Sequence, residues 1–125
     1  MRYSALVLRR LAWAAFAVML TVGPGGAHAV LDRTDPRAGV SVKTAPSQVK
    51  LWFTGALEPA YSRVQVLNDK GERADANDSR VEAADARQLR VSVPPLAAGT
   101  YKVLWRVLSV DGHLTEGEFT FRVTQ

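Results

Sequence analysis

Residues 100–109 alternate along their length between two kinds of side chain, and this period of two is typical of a long β-strand. One face is apolar and consists of Tyr101, Val103, Trp105 and Val107. The other face is mixed and consists of Lys102, Leu104, Arg106 and Leu108. A strand with one apolar face lies in a sheet that buries this face against a second layer, so this stretch predicts a layered β protein.

Shorter stretches with the same pattern occur on both sides of this strand. We predict strands at Val49–Thr54, Tyr61–Leu67, Gln88–Val93 and Glu118–Thr124, and a short extended segment that begins with residues 29–31. Residues 79–83 fit either a short strand or a single helical turn. Proline and glycine turn signals, such as residues 34–39 and 94–95, separate these stretches. About seven short strands without a convincing long helix after residue 27 predict an all-β fold, a small antiparallel sandwich.

The aromatic residues of the inward faces are expected to supply much of the core of this sandwich, because each buries on the order of 150–250 Å². They are Phe53, Tyr101, Trp105, Phe119 and Phe121.

The first 27 residues have the layout of a secretory signal peptide. Three arginines precede an uncharged apolar run, Leu11–Val22, and small residues follow it. This run is short for a membrane anchor, which needs about 20 apolar residues. Cleavage after Ala27 and cleavage after Ala29 both satisfy the small-residue rule. We therefore predict a signal peptide at 1–27, a single domain at 28–125, and a periplasmic mature form that does not span the membrane.

Charge and cysteine content exclude several classes of function. Without the three arginines of the leader, the net charge falls from +4 to thirteen basic against twelve acidic residues, so nucleic-acid binding has no electrostatic support. The chain has no cysteine, which rules out disulfides, thiolate catalysis and cysteine-ligated metals. No glycine-rich phosphate loop is present, and nothing in the sequence indicates the geometry of a serine–histidine–acid triad.

Only two histidines occur in the chain, and both lie at informative places. His113 ends the run Ser109–Val110–Asp111–Gly112–His113, where a carboxylate and an imidazole are two residues apart. His28 becomes the amino terminus if the leader is cut after Ala27. Taken singly, each residue also fits a plainer interpretation, because Asp-Gly is a common hairpin turn and turn histidines are usually solvated.

Residues 101–113, together with Gly117–Phe121, resemble the closing segment of CopC-type periplasmic copper-binding proteins. The start of the domain agrees through residues 28–31, 34–36, 45–46 and 51–54. The resemblance implies an Ig-like β-sandwich, or Greek-key barrel, that binds one copper(II) per chain through His28, Asp111 and His113. It also implies a role in copper homeostasis and resistance as a carrier or buffer rather than an enzyme, with a CopD-type inner-membrane copper transporter as partner.

The sequence departs from the family at two places. Some members have a glutamate near copper where this chain has Gly55, with Glu58 three residues further on. Glu58, Glu116 and Glu118 are therefore left as candidates for support of the site. Some members also bind copper(I) through a methionine-rich loop, whereas both methionines of this chain lie in the leader, so we expect no copper(I) methionine site.

The proposed ligands suit copper(II). An amino-terminal histidine offers an amine and an imidazole that close a chelate ring, and a second imidazole with a carboxylate completes a tetragonal nitrogen and oxygen set. Two alternatives stay open. A histidine-brace copper monooxygenase acting on polysaccharide is also a secreted β-sandwich with an amino-terminal histidine, and a metal-free Ig-like interaction module would need neither histidine.

Overall fold

The computed structural model describes residues 29–124, which form eight strands and one short 3-10 helix. The strands are β1 (Leu31–Asp35), β2 (Ser41–Val42), β3 (Gln48–Phe53), β4 (Arg63–Leu67), β5 (Arg80–Glu82), β6 (Asp85–Ser92), β7 (Gly99–Leu108) and β8 (Leu114–Val123). The 3-10 helix is Pro59–Tyr61. No helix within residues 29–124 has the length and apolar character needed to cross a membrane. The predicted signal peptide at 1–27 and the proposed ligand His28 lie outside the described residues.

The strands make two four-stranded sheets, which confirms the predicted all-β sandwich. Sheet 1 has the order β1-β3-β6-β5, and sheet 2 has the order β2-β8-β7-β4. Within a sheet, only β5–β6 and β7–β8 are neighbours that are also consecutive in the chain. The other connections pass between the sheets, as in Greek-key sandwiches. All pairs are antiparallel except β2–β8, which is parallel.

Strand prediction succeeded where the alternation is clean and failed where it is broken. Residues 79–83 contain a strand, not a helical turn. Strand β2 was missed because two residues are too few to show an alternating pattern. The predicted turn at 34–39 begins later, since Thr34 and Asp35 belong to β1. The last strand begins at Leu114 instead of Glu118, because β8 pairs with β7 over all ten residues and this pairing overrides the weak local pattern of residues 114–117.

The core lies between the two sheets and contains three of the five predicted aromatic residues. Phe53, Tyr101 and Phe121 are buried, and the rings of Tyr101 and Phe121 stack with centroids 5.5 Å apart. Trp105 and Phe119 are only partly buried and pack against this core.

Gly117 makes room for Trp105 on the neighbouring strand. A Cβ atom on Gly117 would lie 2.6 Å from Cζ2 of the Trp105 ring, closer than side-chain atoms approach one another. The Trp105 ring in turn meets Phe53 edge to face, with centroids 5.2 Å apart. The glycine that weakens the strand pattern of β8 is therefore required by the packing of sheet 2 on sheet 1.

The outer edge of β4 is covered by a segment that we call the edge clasp, Arg73–Ser79. The backbone N–H of Val64 donates to Oγ of Ser79 (2.8 Å), and the N–H of Val66 donates to Oδ2 of Asp75 (2.7 Å). These side chains satisfy donors that an open sheet edge would leave available for pairing with another chain.

Candidate metal centre

The two longest strands, β7 and β8, are joined by a tight turn that we call the metal loop, Ser109–His113. The N–H of Ser109 donates to the carbonyl of His113 (2.9 Å), and the N–H of Gly112 donates to the carbonyl of Ser109 (2.9 Å). Gly112 has a φ of 92°, a conformation that residues with a side chain rarely adopt. The loop is further tied to its surroundings by the N–H of Val110, which donates to the carbonyl of Ala56 (3.1 Å). It is thus a fixed platform at one end of the sandwich.

Ser109 organises the interior of the metal loop and was not assigned a role from the sequence. Its side chain is almost completely buried, and its hydroxyl donates to Oδ1 of Asp111. The hydroxyl oxygen of Ser109 also accepts the backbone N–H of His113 (3.3 Å). The available signal was the position of Ser109 two residues before Asp111, within the run Ser109–His113.

The structure brings the side chains of Asp111 and His113 together. Oδ2 of Asp111 lies 3.1 Å from Nδ1 of His113, and the side chains are 25% and 54% exposed. A carboxylate and an imidazole therefore face solvent side by side at the tip of the loop. Carboxylates in this relation to a histidine orient its ring in many metal sites.

The carboxyl group of Asp111 is held in its ionised form. Its pKa is lowered, chiefly because the hydroxyl of Ser109 hydrogen-bonds to the carboxylate. Desolvation raises the pKa by a smaller amount, and a hydrogen bond with His113 lowers it further. The loop therefore presents a negative oxygen ligand even in mildly acidic solution.

The chain that follows His28 is anchored beside the metal loop. The carbonyl of Ala29 accepts a hydrogen bond from Oγ1 of Thr115 (3.2 Å), and Thr115 is two residues beyond His113. Ala29 is completely buried. Val30 is fixed in the same place, since its carbonyl accepts the N–H of Thr54 (2.8 Å) and its N–H donates to Oγ1 of Thr54 (3.0 Å).

The glutamates named from the sequence take different positions. Glu58 is half-buried at the metal-loop end, where its N–H donates to the carbonyl of Leu108 (2.8 Å). Glu116 and Glu118 point away from the core on the outer face of sheet 2, and Glu118 forms an ion pair with Lys102 (4.0 Å). Within residues 29–124, no group of three or more histidine and acidic side chains is arranged to hold a metal. Asp111 and His113 thus stand as a pair within these residues.

Comparison with known proteins gives a consistent picture. Residues 31–124 match the sequence model of the CopC domain family. The crystal structure of CopC from Methylosinus trichosporium OB3b superposes with a TM-score of 0.72 at 40% identity, over 77% of this chain and 93% of that chain. Copper resistance protein C of Pseudomonas syringae pv. tomato is 32% identical over 113 residues, which are 86% of this chain and 89% of that protein. Copper transport protein CutJ of Bacillus subtilis is 26% identical over 98 residues, which are 78% of this chain but only 18% of that protein.

Proposed function

Because the chain belongs to the CopC family, we propose that it is a copper-binding protein of copper homeostasis and resistance. In this proposal the exported protein carries or buffers copper(II) in the periplasm and catalyses no reaction. The copper ion is its cargo. One ion binds per chain, through the amine and imidazole of His28 together with Asp111 and His113.

The observation that carries this proposal is the hydrogen bond between Ala29 and Thr115. Consecutive Cα atoms are about 3.8 Å apart, so a residue bonded directly to Ala29 starts within a few ångströms of the strand that His113 precedes. The burial of Ala29 and the two hydrogen bonds of Val30 with Thr54 hold this part of the chain in place. The segment that directly follows His28 is thus anchored beside the metal loop.

Burial of Ala29 also supports cleavage after Ala27. A cut after Ala29 would remove a completely buried core residue together with its hydrogen bond to Thr115. A cut after Ala27 retains this residue and creates the terminal amine that the proposed site needs. We therefore retain the signal peptide at 1–27 and the copper-binding domain at 28–125 as parts of the proposal.

The donor set favours copper(II) over copper(I). It consists of nitrogen and carboxylate oxygen, and residues 28–125 contain neither cysteine nor methionine, so the soft sulfur ligands that select copper(I) are missing from the sequence. Asp111 enters as a ligand, while its contact with Nδ1 of His113 also fits a carboxylate that orients the ring.

The proposed partner is a CopD-type copper transporter of the inner membrane. The similarity to CutJ supports this choice, because a domain like this one occupies 18% of a protein named for copper transport. Because a similar domain is part of a transport protein in one organism, this domain is well suited to work with a separate transport protein in another.

The proposal is tested by determining the mature amino terminus and the copper stoichiometry together. We expect an intact mass that begins at His28, one copper(II) per chain by titration, and nitrogen hyperfine structure in the electron paramagnetic resonance spectrum. His113→Ala should weaken copper(II) binding about 100-fold, because it removes one of few nitrogen ligands. Glu72→Gln is the control, because it changes an exposed carboxylate in the turn after β4, and it should bind copper as the wild type does.

Three results would contradict the proposal. A mature chain that starts at Val30 removes the amine and His28 together, and the site with them. Wild-type copper affinity in His113→Ala would show that copper binds elsewhere. Oxidation of polysaccharide by the copper-loaded protein would replace the carrier function with the monooxygenase alternative.

A further inference from the structure

Exposed apolar residues are concentrated at the end of the molecule that carries the metal loop. In the part of the chain that the structure describes, four large apolar residues are exposed, between 50% and 67%. They are Val30, Tyr61, Val110 and Leu114. Scattered exposed apolar residues are normal on a protein surface, but a single group around a functional site indicates a surface for interaction.

Backbone contacts place all four residues around the metal loop. Val110 belongs to the loop, and Leu114 follows His113 directly and pairs with Leu108 across β7 and β8. Val30 follows Ala29, which is hydrogen-bonded to Thr115. Tyr61 precedes Ser62, whose hydroxyl accepts the N–H of Leu108 (3.2 Å). The apolar residues thus border the loop on the side of the amino-terminal segment and on the side of β4.

A pair of arginines adjoins this apolar border on the outer face of sheet 2. Arg63 of β4 and Arg106 of β7 are directly opposite each other in the register, and both are exposed. This pair is two residues along β7 from the Leu108–Leu114 pair, a distance of about 7 Å. The arginines line an open groove of about 610 Å³ together with Arg73 and two glutamates, Glu116 and Glu118.

The groove carries an excess of positive charge, because Arg73 pairs with Asp75 and Glu118 pairs with Lys102. This leaves Arg63 and Arg106 against the single carboxylate of Glu116. Within residues 29–124, no carboxylate lies within 4.0 Å of either guanidinium group, although Glu116 is opposite Arg106 on β8. Like charges that face each other across two strands are destabilising. A carboxylate from a second molecule would relieve this repulsion, and guanidinium groups bind carboxylates with two parallel hydrogen bonds.

We propose that these six residues, the acceptor face (Val30, Tyr61, Arg63, Arg106, Val110 and Leu114), dock the protein onto its copper acceptor. The acceptor is a copper transport protein that presents an apolar patch flanked by carboxylates. This inference rests on the proposed copper function, and it adds the surface through which the ion is delivered. The apolar border excludes water around the loop, while the arginines set the orientation of the partner. The ion passes as copper(II), with no change in oxidation state, as acceptor ligands replace those of the loop.

The experiment compares copper delivery to a protein acceptor with copper loss to a small chelator. The protein acceptor is supplied as membrane vesicles from cells that express a CopD-type transporter, and vesicles from cells without it serve as the control. The chelator is EDTA, which needs no docking surface. The copper-loaded mature protein is mixed with each, and transfer is followed by the copper content of the separated protein.

Substitution of the apolar border should slow only docked transfer. The double variant Tyr61→Ser, Leu114→Ser should deliver copper to transporter vesicles about tenfold more slowly, because it removes two apolar side chains from the contact. Its copper(II) affinity and its rate of copper loss to EDTA should stay within about twofold of the wild type, since neither residue is a proposed ligand.

Charge reversal tests the arginine pair against a matched control on the same sheet face. Arg63→Glu, Arg106→Glu should slow delivery to transporter vesicles about tenfold and remove its dependence on salt concentration. Arg122→Glu changes the same charge on the outer face of β8 at the far end, about 20 Å from the pair, and should deliver copper at the wild-type rate.

The outcomes separate this proposal from the proposed function. If the wild type binds no copper(II), the proposed function fails before docking is tested. If it binds copper and both double variants deliver it at the wild-type rate, the acceptor face is wrong while the copper function stands. Equal binding to vesicles with and without the transporter, or formation of a dimer through this surface in sedimentation, would assign the face to lipid or to a second copy and overturn the proposal.

Discussion

Asp75 and Asp111 each hold an irregular segment of the chain in place, but they do so in opposite environments. Asp75 lies in the edge clasp, and its side chain has no exposed surface. Its carboxylate accepts the N–H groups of Val66 (2.7 Å) and Asn77 (2.8 Å) and Nε of Arg73 (2.9 Å). Asp111 lies in the metal loop with a quarter of its side chain exposed, held by Ser109 on one oxygen and facing His113 with the other.

The difference shows how one residue type serves two purposes. Donors of the protein itself occupy both carboxylate oxygens of Asp75, so this side chain serves the stability of the β4 edge. Asp111 is oriented through one oxygen by a buried hydroxyl, while the other oxygen lies at the surface beside an imidazole. A carboxylate that is positioned and still accessible fits the requirements of a metal ligand.

The largest effect on stability is expected at Asp75, whose carboxylate is fully occupied by donors of the protein. Asp75→Ala should lower the free energy of unfolding by about 3 kcal/mol, because it leaves backbone N–H donors and the guanidinium group of Arg73 without their acceptor. Urea denaturation of the copper-free protein measures this change. Copper(II) affinity of the folded variant should equal that of the wild type, and a large loss of affinity would show that the two regions are coupled.

Substitution of Asp111 should have the reverse effect, with a large loss of copper(II) affinity and little loss of stability. Asp111→Ala should weaken copper(II) binding by about 10- to 100-fold, as expected when a ligand or an orienting partner is removed. Its unfolding free energy should change by less than about 1 kcal/mol, because the hydroxyl of Ser109 retains the carbonyl of His113 as a partner (3.2 Å). Isothermal titration and urea denaturation measure the two quantities. A loss of stability equal to that of Asp75→Ala would remove the distinction between the two aspartates.

The smallest expected effect concerns the residue that orients Asp111. Ser109→Ala should raise the pKa of Asp111 towards its ordinary value, because the hydrogen bond from Ser109 is the main cause of its lowering. A lowered pKa contributes stability above the ordinary pKa, and this contribution is lost as pH falls through the lowered pKa. In the variant, this contribution to stability above the ordinary pKa should shrink.

Nuclear magnetic resonance titration of the side-chain carboxyl carbons of the copper-free protein measures this change. Asp78 is the internal control, since its pKa is lowered chiefly by hydrogen bonds from Ser92, far along the chain from the loop, and should stay where it is. An unchanged pKa of Asp111 in the variant would show that Ser109 is not what holds the carboxylate ionised. Copper(II) affinity should fall by only a few-fold, because all ligands remain.

Sequence reasoning recovered the strands that carry a clear period. The alternation of residues 100–109 predicted β7 almost to the residue, and the shorter alternating stretches predicted the central part of each sheet. It missed β2 and the first half of β8, because those segments become strands through pairing with neighbours rather than through their own pattern. Gly117 shows this most clearly, since it weakens the local strand signal and yet is required where Trp105 packs.

For the candidate site, the sequence by itself determined which groups are available: two histidines, an aspartate two residues before one of them, and no sulfur after the leader. Composition and spacing are properties of the chain, so they are readable without a fold. Only the tertiary structure decided that Ser109 is buried beneath Asp111, that Ala29 is bonded to Thr115, and that the exposed apolar residues border the metal loop. These relations depend on long-range pairing of strands, and residues 86 positions apart become neighbours only when both sheets have formed.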